Sequence, residues 1–324
     1  MTHAIRIHTH GGPEVMRWEE VPLPEPGAGE ARVRHEAVGL NYIDVYYRTG
    51  LYKSPAMPAT LGMEAAGVVT AIGPGVSHLV VGDRVAYASG PIGAYATERC
   101  IAADRLVKLP DDIDFRTAAA MMLQGMTAQY LVRRTHTVKP GETIVVHAAA
   151  GGVGLILCQW AKHIGATVIG VVSSEAKAEL ARAHGAAHTV IGYQNLVSEV
   201  KRITGGAMVP VVYDSVGKDT FTVSLDCLAP LGLMASYGNA SGPVPPVDLG
   251  ILAAKGSLYL TRPTLVTYTA KRADLLATAQ DLFDVVASGA VKIEVNQSFP
   301  LADAAAAHIA LESRATTGST VLIP

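Results

Sequence analysis

Cysteine is scarce: only Cys100, Cys158 and Cys227 occur among 324 residues, far apart and with no C-x-x-C. A scattered, odd set does not make a disulfide framework or a cysteine-rich zinc site. It points to a reducing compartment, so a cytoplasmic location is expected. An excess of one charge is also missing. Lys and Arg number 26 against 28 Asp and Glu, a net charge of −2 with no long run of either sign. That excludes the electrostatic footprint of a nucleic-acid partner and a basic membrane patch. Repeats and low-complexity tracts are absent. The opening stretch, MTHAIRIHTHGG, alternates like a strand and holds no apolar h-region, so a secretory signal is not expected. Glycine, by contrast, is plentiful at 32 residues, which predicts many tight turns. The length suits about two domains.

One stretch concentrates the glycines. Residues 143–161 read TIVVHAAAGGVGLILCQWA, without a charge and with three glycines inside four positions. A membrane span, a buried helix with a small-residue face and a phosphate-binding turn share this look. A span needs about 20 apolar residues, and His147, the glycines and Gln159 interrupt this one. The period also changes partway. Residues 143–147 are short and β-branched, like a buried strand, and beyond Gly151 the spacing becomes helical. Gly165 then stops the helix, and ATVIGVV supplies a second buried strand. Strand, glycine turn, helix and strand make the βαβ unit of a dinucleotide fold. Against G-x-G-x-x-G the turn reads A-A-G-G-V-G, with Ala149 at the first glycine position and Gly151 and Gly154 matching. Gly151 lets backbone approach a pyrophosphate, and Gly154 lets helix pack on strand. A packing turn in another α/β protein remains the competing reading.

The second strand ends GVVSSEAKAEL. An acid at this tip usually holds the ribose hydroxyls of NAD. Here Ser173 and Ser174 occupy it, with Lys177 one turn on, which suits the 2′-phosphate of NADPH. Glu175 could instead be the acid, or Ser174 could simply cap the helix. Further strand-like runs follow at 188–193, 209–217, 232–242 and 256–263. Their carboxyl ends offer Tyr193, Val216, Gly238, Asn239 and Arg262 as cofactor contacts, since ligands bind there in open α/β sheets. The run GSLYLTRP reads as the last strand of that sheet, with an apolar edge that invites pairing with a second copy. Residues 1–123 differ: short alternating segments punctuated by Gly and Pro read as a Gly-rich β domain, a small barrel. Residues 264–324 carry two helices and a last strand, too short for a core of their own, and are expected to complete the first domain.

The strings LNYIDVYYRTGLY, VVGDRVAYA, HAAAGGVG, VYDSVG and ESRATTGSTVLIP, in this order, resemble the NADPH-dependent quinone oxidoreductases. These form the ζ-crystallin-like, zinc-free branch of the medium-chain dehydrogenase/reductase superfamily. The resemblance spans essentially the whole chain. It implies an α/β fold: a GroES-like β-barrel domain (1–123 and 264–324) interrupted by a doubly wound Rossmann domain (124–263), with NADPH in the cleft between them. It puts Gly152 and Val153 on the pyrophosphate, and Ser173, Ser174, Lys177 and Tyr193 around the adenosine phosphate. Val216, Tyr237, Gly238, Asn239 and Arg262 follow along the cofactor, with Arg314 a further contact. Asn41, Asp44, Tyr46, Thr127 and Tyr130 are assigned to the nicotinamide end, and Asn41, Tyr46, Tyr52 and Gln124 to the acceptor pocket. Three departures from the family pattern stand out. Gly192 replaces an Asn or Asp before the tyrosine, Tyr237 stands where Phe is common, and Gln124 stands where Lys is common. Zinc members of the superfamily hold metal with a Cys and a G-H-E histidine. Here Asn41 and Met63 occupy those places, so no metal is expected. The expected activity is hydride transfer from NADPH to a quinone, with no dedicated catalytic acid, by a homodimer joined through the last Rossmann strand. Reduction of activated C=C bonds, as in 2-alkenal or enoyl reductases, and a non-catalytic NADPH-binding role are the alternatives.

Overall fold

The structure, a computed structural model, describes residues 1–54 and 56–324. The chain divides into two compact units. Unit 1 comprises Met1–Met126, Thr269–Phe283 and Ile293–Pro324; unit 2 comprises Thr127–Tyr268 and Asp284–Lys292.

Unit 1 begins with β1 (Thr2–Ile7), β2 (Met16–Val21), β3 (Glu30–Leu40), α1 (Tyr42–Thr49), β4 (Ala59–Thr60) and β5 (Glu64–Ile72). It continues with β6 (Arg84–Ala88), β7 (Glu98–Ala102), β8 (Val107–Lys108) and α2 (Phe115–Tyr130), within which the chain enters unit 2. Unit 2 alternates strand and helix: β9 (Thr143–His147), α3 (Gly152–Ile164), β10 (Thr167–Val172), α4 (Glu175–Ala183), β11 (His188–Ile191), α5 (Leu196–Ile203) and β12 (Val209–Asp214). Then come α6 (Phe221–Asp226), β13 (Leu228–Ser236), α7 (Gly250–Ala254), β14 (Tyr259–Thr261) and α8 (Leu265–Tyr268). The tail forms α9 (Arg272–Ala287), β15 (Val295–Pro300), α10 (Ala304–Glu312) and β16 (Ser319–Ile323).

The six strands of unit 2 are all parallel, in the order β11-β10-β9-β12-β13-β14. The order reverses between β9 and β12, the doubly wound arrangement in which ligands bind at the carboxyl ends beside the switch. Strands buried on both faces need unbroken apolar runs, and Val145, Ile169, Val212 and Met234 make the core accordingly.

In unit 1 a seven-stranded sheet runs β15-β16-β3-β5-β6-β8, with β7 paired to β3, and a three-stranded sheet runs β2-β1-β4. The two sheets share one core, with Ile5 and Ile7 of the small sheet packed among Val33, Val38, Tyr87 and Leu322 of the large one. Of the tail, Thr269–Phe283 and Ile293–Pro324 belong to unit 1, where β16 pairs antiparallel with β3, and Asp284–Lys292 belongs to unit 2. Among the described residues, no helix is long and apolar enough to cross a membrane.

Candidate functional site

In unit 2 the site is made by backbone. After β9, Ala148 turns at φ 50° and Gly151 N–H donates to its carbonyl at 2.9 Å. Gly151 caps α3, and the first bond of that helix is Leu155 N–H to the Gly151 carbonyl at 2.9 Å. The N–H groups before it, at Gly152 and Val153, therefore have no acceptor within the helix, and they carry its positive end. Gly154 is required by space: a Cβ there would lie 2.2 Å from the Ala148 carbonyl oxygen and 2.8 Å from Ala149 Cα. Beside this turn β10 delivers Ser173 and Ser174, both exposed. Ser174 caps α4, its hydroxyl accepting from Lys177 N–H at 3.4 Å. Glu175 pairs with Arg182 at 2.5 Å, so its carboxylate is engaged along its own helix. Gly192 ends β11 early because it adopts φ 71°, a left-handed turn that favours glycine over the Asn or Asp of the family pattern. Tyr193 follows and packs partly on the unit 2 core.

The loops after β12 and β13 are laced together. Tyr237 N–H donates to the Asp214 carbonyl at 2.8 Å, Ala240 N–H to Ser215 at 3.1 Å and Ser241 N–H to Val216 at 2.8 Å. Gly238 permits this closeness, since a Cβ would meet the Ser215 carbonyl oxygen at 2.4 Å. The Asp214 carboxylate organises the first loop by accepting from Val216 N–H at 2.8 Å and Gly217 N–H at 3.1 Å. It also accepts from Thr220 and Ser224 hydroxyls at 2.7 Å each, and Ser224 reaches His147 Nε2 at 2.9 Å. This fully buried cluster was not foreseen from sequence; a lone Asp at a strand end shows only as a turn signal. A groove of about 300 Å³ beside it is lined by Ser236, Asn239, Thr261 and Arg262 among others. Arg262 lies close enough to oppose the burial that raises the Tyr130 phenol, and Thr127 hydrogen-bonds that phenol. Tyr130 stacks on Tyr268 with ring centroids 4.4 Å apart.

In unit 1 the site is made by side chains. Asn41 caps α1, and Asp44 closes a capping box by accepting from Asn41 N–H at 2.9 Å. Asn41 Nδ2 lies 2.7 Å from Glu64 Oε2, Gln124 Nε2 lies 3.2 Å from Asn41 Oδ1, and Ser319 Oγ lies 2.7 Å from Gln124 Oε1. Glu64 Oε1 accepts from Leu123 N–H at 2.6 Å. Gly39 makes the room, since a Cβ there would sit 2.4 Å from Glu64 Oε2. Burial pushes the Glu64 carboxyl up to about 8 and that of Asp44 up to about 7. A second chain continues from Asp44. Its Oδ2 accepts from Tyr95 at 3.0 Å, the Tyr95 hydroxyl meets His308 Nε2 at 3.1 Å, and His308 Nδ1 meets Arg48 at 3.0 Å. Arg48 ends the chain in a two-bond pair with Glu312 at 2.8 Å. Sequence reading missed Glu64, although it sits beside Met63 in GMEAAG. Asp44, assigned from the resemblance to the nicotinamide end, is fully buried. Its Oδ2 is shared between Asn41 N–H and the Tyr95 hydroxyl.

Tyr46 and Tyr52 come together edge to face at 5.2 Å, and Tyr46 lies 6.2 Å from Tyr42. Arg314, exposed and at φ 60°, acts electrostatically on the Tyr42 phenol. Unit 1 thus gathers Asn41, Tyr46, Tyr52 and Gln124 on or beside α1, and Arg314 near Tyr42. Unit 2 gathers the glycine turn, the β10 tip and the two laced loops. A zinc ion does not fit the residues at its family position: Asn41 is a hydrogen-bonded amide and Met63 a buried thioether. Among the described residues, no three His, Cys, Asp or Glu side chains converge to hold a metal.

Two family models match the chain: an alcohol dehydrogenase GroES-like domain over residues 27–140 and a zinc-binding dehydrogenase domain over residues 152–281. A quinone oxidoreductase of Pseudomonas aeruginosa is 55% identical, covering 100% of both chains. A 2-haloacrylate reductase of a Burkholderia species is 47% identical, covering 100% of this chain and 99% of its own. The crystal structure of an Escherichia coli quinone oxidoreductase complexed with NADPH is 50% identical. It superposes with a TM-score of 0.97 over 99% of this chain and 100% of the other.

Proposed function

Because this chain belongs to the quinone oxidoreductases of the medium-chain dehydrogenase/reductase superfamily, we propose that it reduces a quinone with NADPH. The observation that carries the reading is the glycine turn, whose Gly154 leaves no room for a Cβ and whose head presents free N–H groups. Those groups suit a pyrophosphate. Gly152 and Val153 hold it, and Ser173, Ser174, Lys177 and Tyr193 hold the 2′-phosphate and adenosine. Val216, Tyr237, Gly238, Asn239 and Arg262 line the cofactor, Thr127 and Tyr130 take its nicotinamide end, and Arg314 adds a further contact. When bound, NADPH supplies the hydride.

Asn41, Tyr46, Tyr52 and Gln124 orient the quinone. Its carbonyl oxygens gain charge as the ring is reduced, and amide and phenol donors stabilise that charge without a metal. The product oxygens are weakly basic, so water or Tyr46 or Tyr52 suffices to protonate them. A simple aldehyde instead leaves a strongly basic alkoxide that calls for a Lewis acid. The similarity to a 2-haloacrylate reductase favours one second reading, reduction of an activated C=C bond. The edge strand β14 exposes Tyr259 by 61% and Leu260 by 36%, which supports pairing with a second copy there. Three free cysteines support a cytoplasmic location. The test is NADPH oxidation against a panel of quinones, enals and aldehydes. Quinones are expected to react fastest and aldehydes negligibly; enals outrunning every quinone would install the second reading.

A further inference from the structure

Asp44 and Arg48 stand four residues apart in α1, so they project from one face of the helix, and both are buried. A bridge of two side chains joins them. Arg48 Nη1 lies 3.0 Å from His308 Nδ1, His308 Nε2 lies 3.1 Å from the Tyr95 hydroxyl, and that hydroxyl lies 3.0 Å from Asp44 Oδ2. Tyr95 comes from the loop after β6 and His308 from α10, and both are fully buried. Hydrogens can run through this bridge in one direction only. A guanidinium gives hydrogens and accepts none. Arg48 therefore donates to Nδ1, the ring hydrogen sits on Nε2, and Nε2 donates to the Tyr95 oxygen. The Tyr95 hydrogen then goes to Asp44 Oδ2, which also accepts from Asn41 N–H at 2.9 Å. Asp44 Oδ1, without a partner among the described residues, is the oxygen left for any proton that Asp44 carries. Burial, with the Arg48 guanidinium beside it, pushes His308 down to about 3, so the ring stays neutral. A chain that begins on a permanent donor cannot reverse, and so it relays no protons. It holds its members in place instead. Arg48 is itself fixed, donating to both Glu312 oxygens at 2.8 Å and through Nε to the Gly11 carbonyl at 3.2 Å.

We propose that Tyr95 and His308 are positioning residues of the acceptor site, gripping α1 at Asp44 and Arg48 and so fixing the rotation of the helix that carries Asn41 and Tyr46. The helix has eight residues, too few for its own backbone bonds to keep it in shape. Each residue advances the helix by roughly 100°, so Tyr46, midway between the gripped positions, projects away from the bridge. There its ring meets Tyr42 at 6.2 Å and Tyr52 at 5.2 Å. At the start of the helix, Asp44 holds the Asn41 backbone directly. A bridge on one face thus sets where an amide and a phenol stand on the other.

The inference rests on the acceptor role proposed for Asn41 and Tyr46, but its first test does not. Tyr95→Phe removes one oxygen and keeps the ring. By hydrogen–deuterium exchange the amides of residues 42–52 should exchange about five- to tenfold faster in this variant, the worth of one buried hydrogen bond, with unit 2 unchanged. Wild-type protection of α1 would overturn the proposal. Kinetics give the second test. Tyr95→Phe and His308→Leu should each lower kcat/KM for a quinone about 10- to 100-fold, the cost of a small misplacement. Both should keep the NADPH Kd within about twofold. His308→Gln offers one acceptor and one donor, and should keep kcat/KM within about threefold of wild type. Should His308→Leu not fold, Tyr95→Phe decides alone. A Tyr95→Phe enzyme as fast as wild type, a matching loss of NADPH affinity, or a His308→Gln variant as slow as Tyr95→Phe would refute the grip. A wild type that reduces no quinone would sink the proposed function and leave hydrogen exchange to decide this one.

Discussion

At the head of α3 an added methyl would strike the Ala148 carbonyl oxygen at 2.2 Å, and little but backbone is there to be met. At the head of α1 the corresponding space is filled by carboxyl, amide and phenol groups bonded to one another. The two helix starts solve the same problem, orphan N–H groups at a helix end, in opposite ways. One leaves them open for an anion; the other closes them with Asp44. The open end demands glycine at 154, where no side chain fits. The closed end demands particular side chains and holds their charge in check by burial.

The sharpest way to break this contrast is Gly154→Val. Overpacking against backbone costs about 1–3 kcal/mol, and displacing the turn should weaken NADPH by at least about a hundredfold, read by calorimetric titration. Normal NADPH affinity in that variant would mean the backbone does not form the site. Lys177→Ala should weaken NADPH about 10- to 100-fold, the worth of one charge-assisted bond, while NADH changes little. Equal effects on both cofactors would restore Glu175 as the discriminating group.

In unit 1, Asn41→Ala removes a helix cap and strands both Glu64 and Gln124. A loss of about 1–3 kcal/mol in urea unfolding is expected, with a raised quinone KM. A silent variant would show that the side-chain network is ornamental. The smallest effect is on pH. Asp44 stays protonated in the fold up to about 7, whereas an ordinary aspartate ionises near 3.8. The folded state thus binds more protons across that window, and its stability is fully present at the acid end and lost as pH rises through about 7. His35, lowered by burial to about 4, acts oppositely, and stability is lost as pH falls from the usual 6.5 through that value. Asp44→Asn should flatten the decline in Tm toward neutral pH by a few degrees, and an unaltered slope would assign the decline elsewhere.

The same contrast governs what the sequence discloses. The α3 turn is legible because its requirement is local: glycine spacing, a β-branched run before it and helical spacing after it. The strand ends of unit 2 could be read for the same reason, although β11 stops at Ile191 because Gly192 turns. The unit 1 network is not legible, because its partners lie far apart in sequence. Asn41 and Glu64 are 23 residues apart, Glu64 and Leu123 59, and Arg48 and His308 260. Glu64 appears in sequence only as an acid among small residues, and Asp44 as one polar residue in a motif. Only the fold, which sets Gly39 of β3 opposite Glu64 and Tyr95 against Asp44, reveals that both are interior. The laced loops after β12 and β13 fall between, visible as turn residues but not as a rigid pair.

Steady-state reduction of a simple p-quinone by NADPH and by NADH, before and after dialysis against a strong chelator, tests the central claim most directly. Rapid turnover with NADPH, a much lower kcat/KM with NADH, and no change on chelation are expected. Turnover that chelation abolishes and added zinc restores, or an equal preference for the two cofactors, would contradict it.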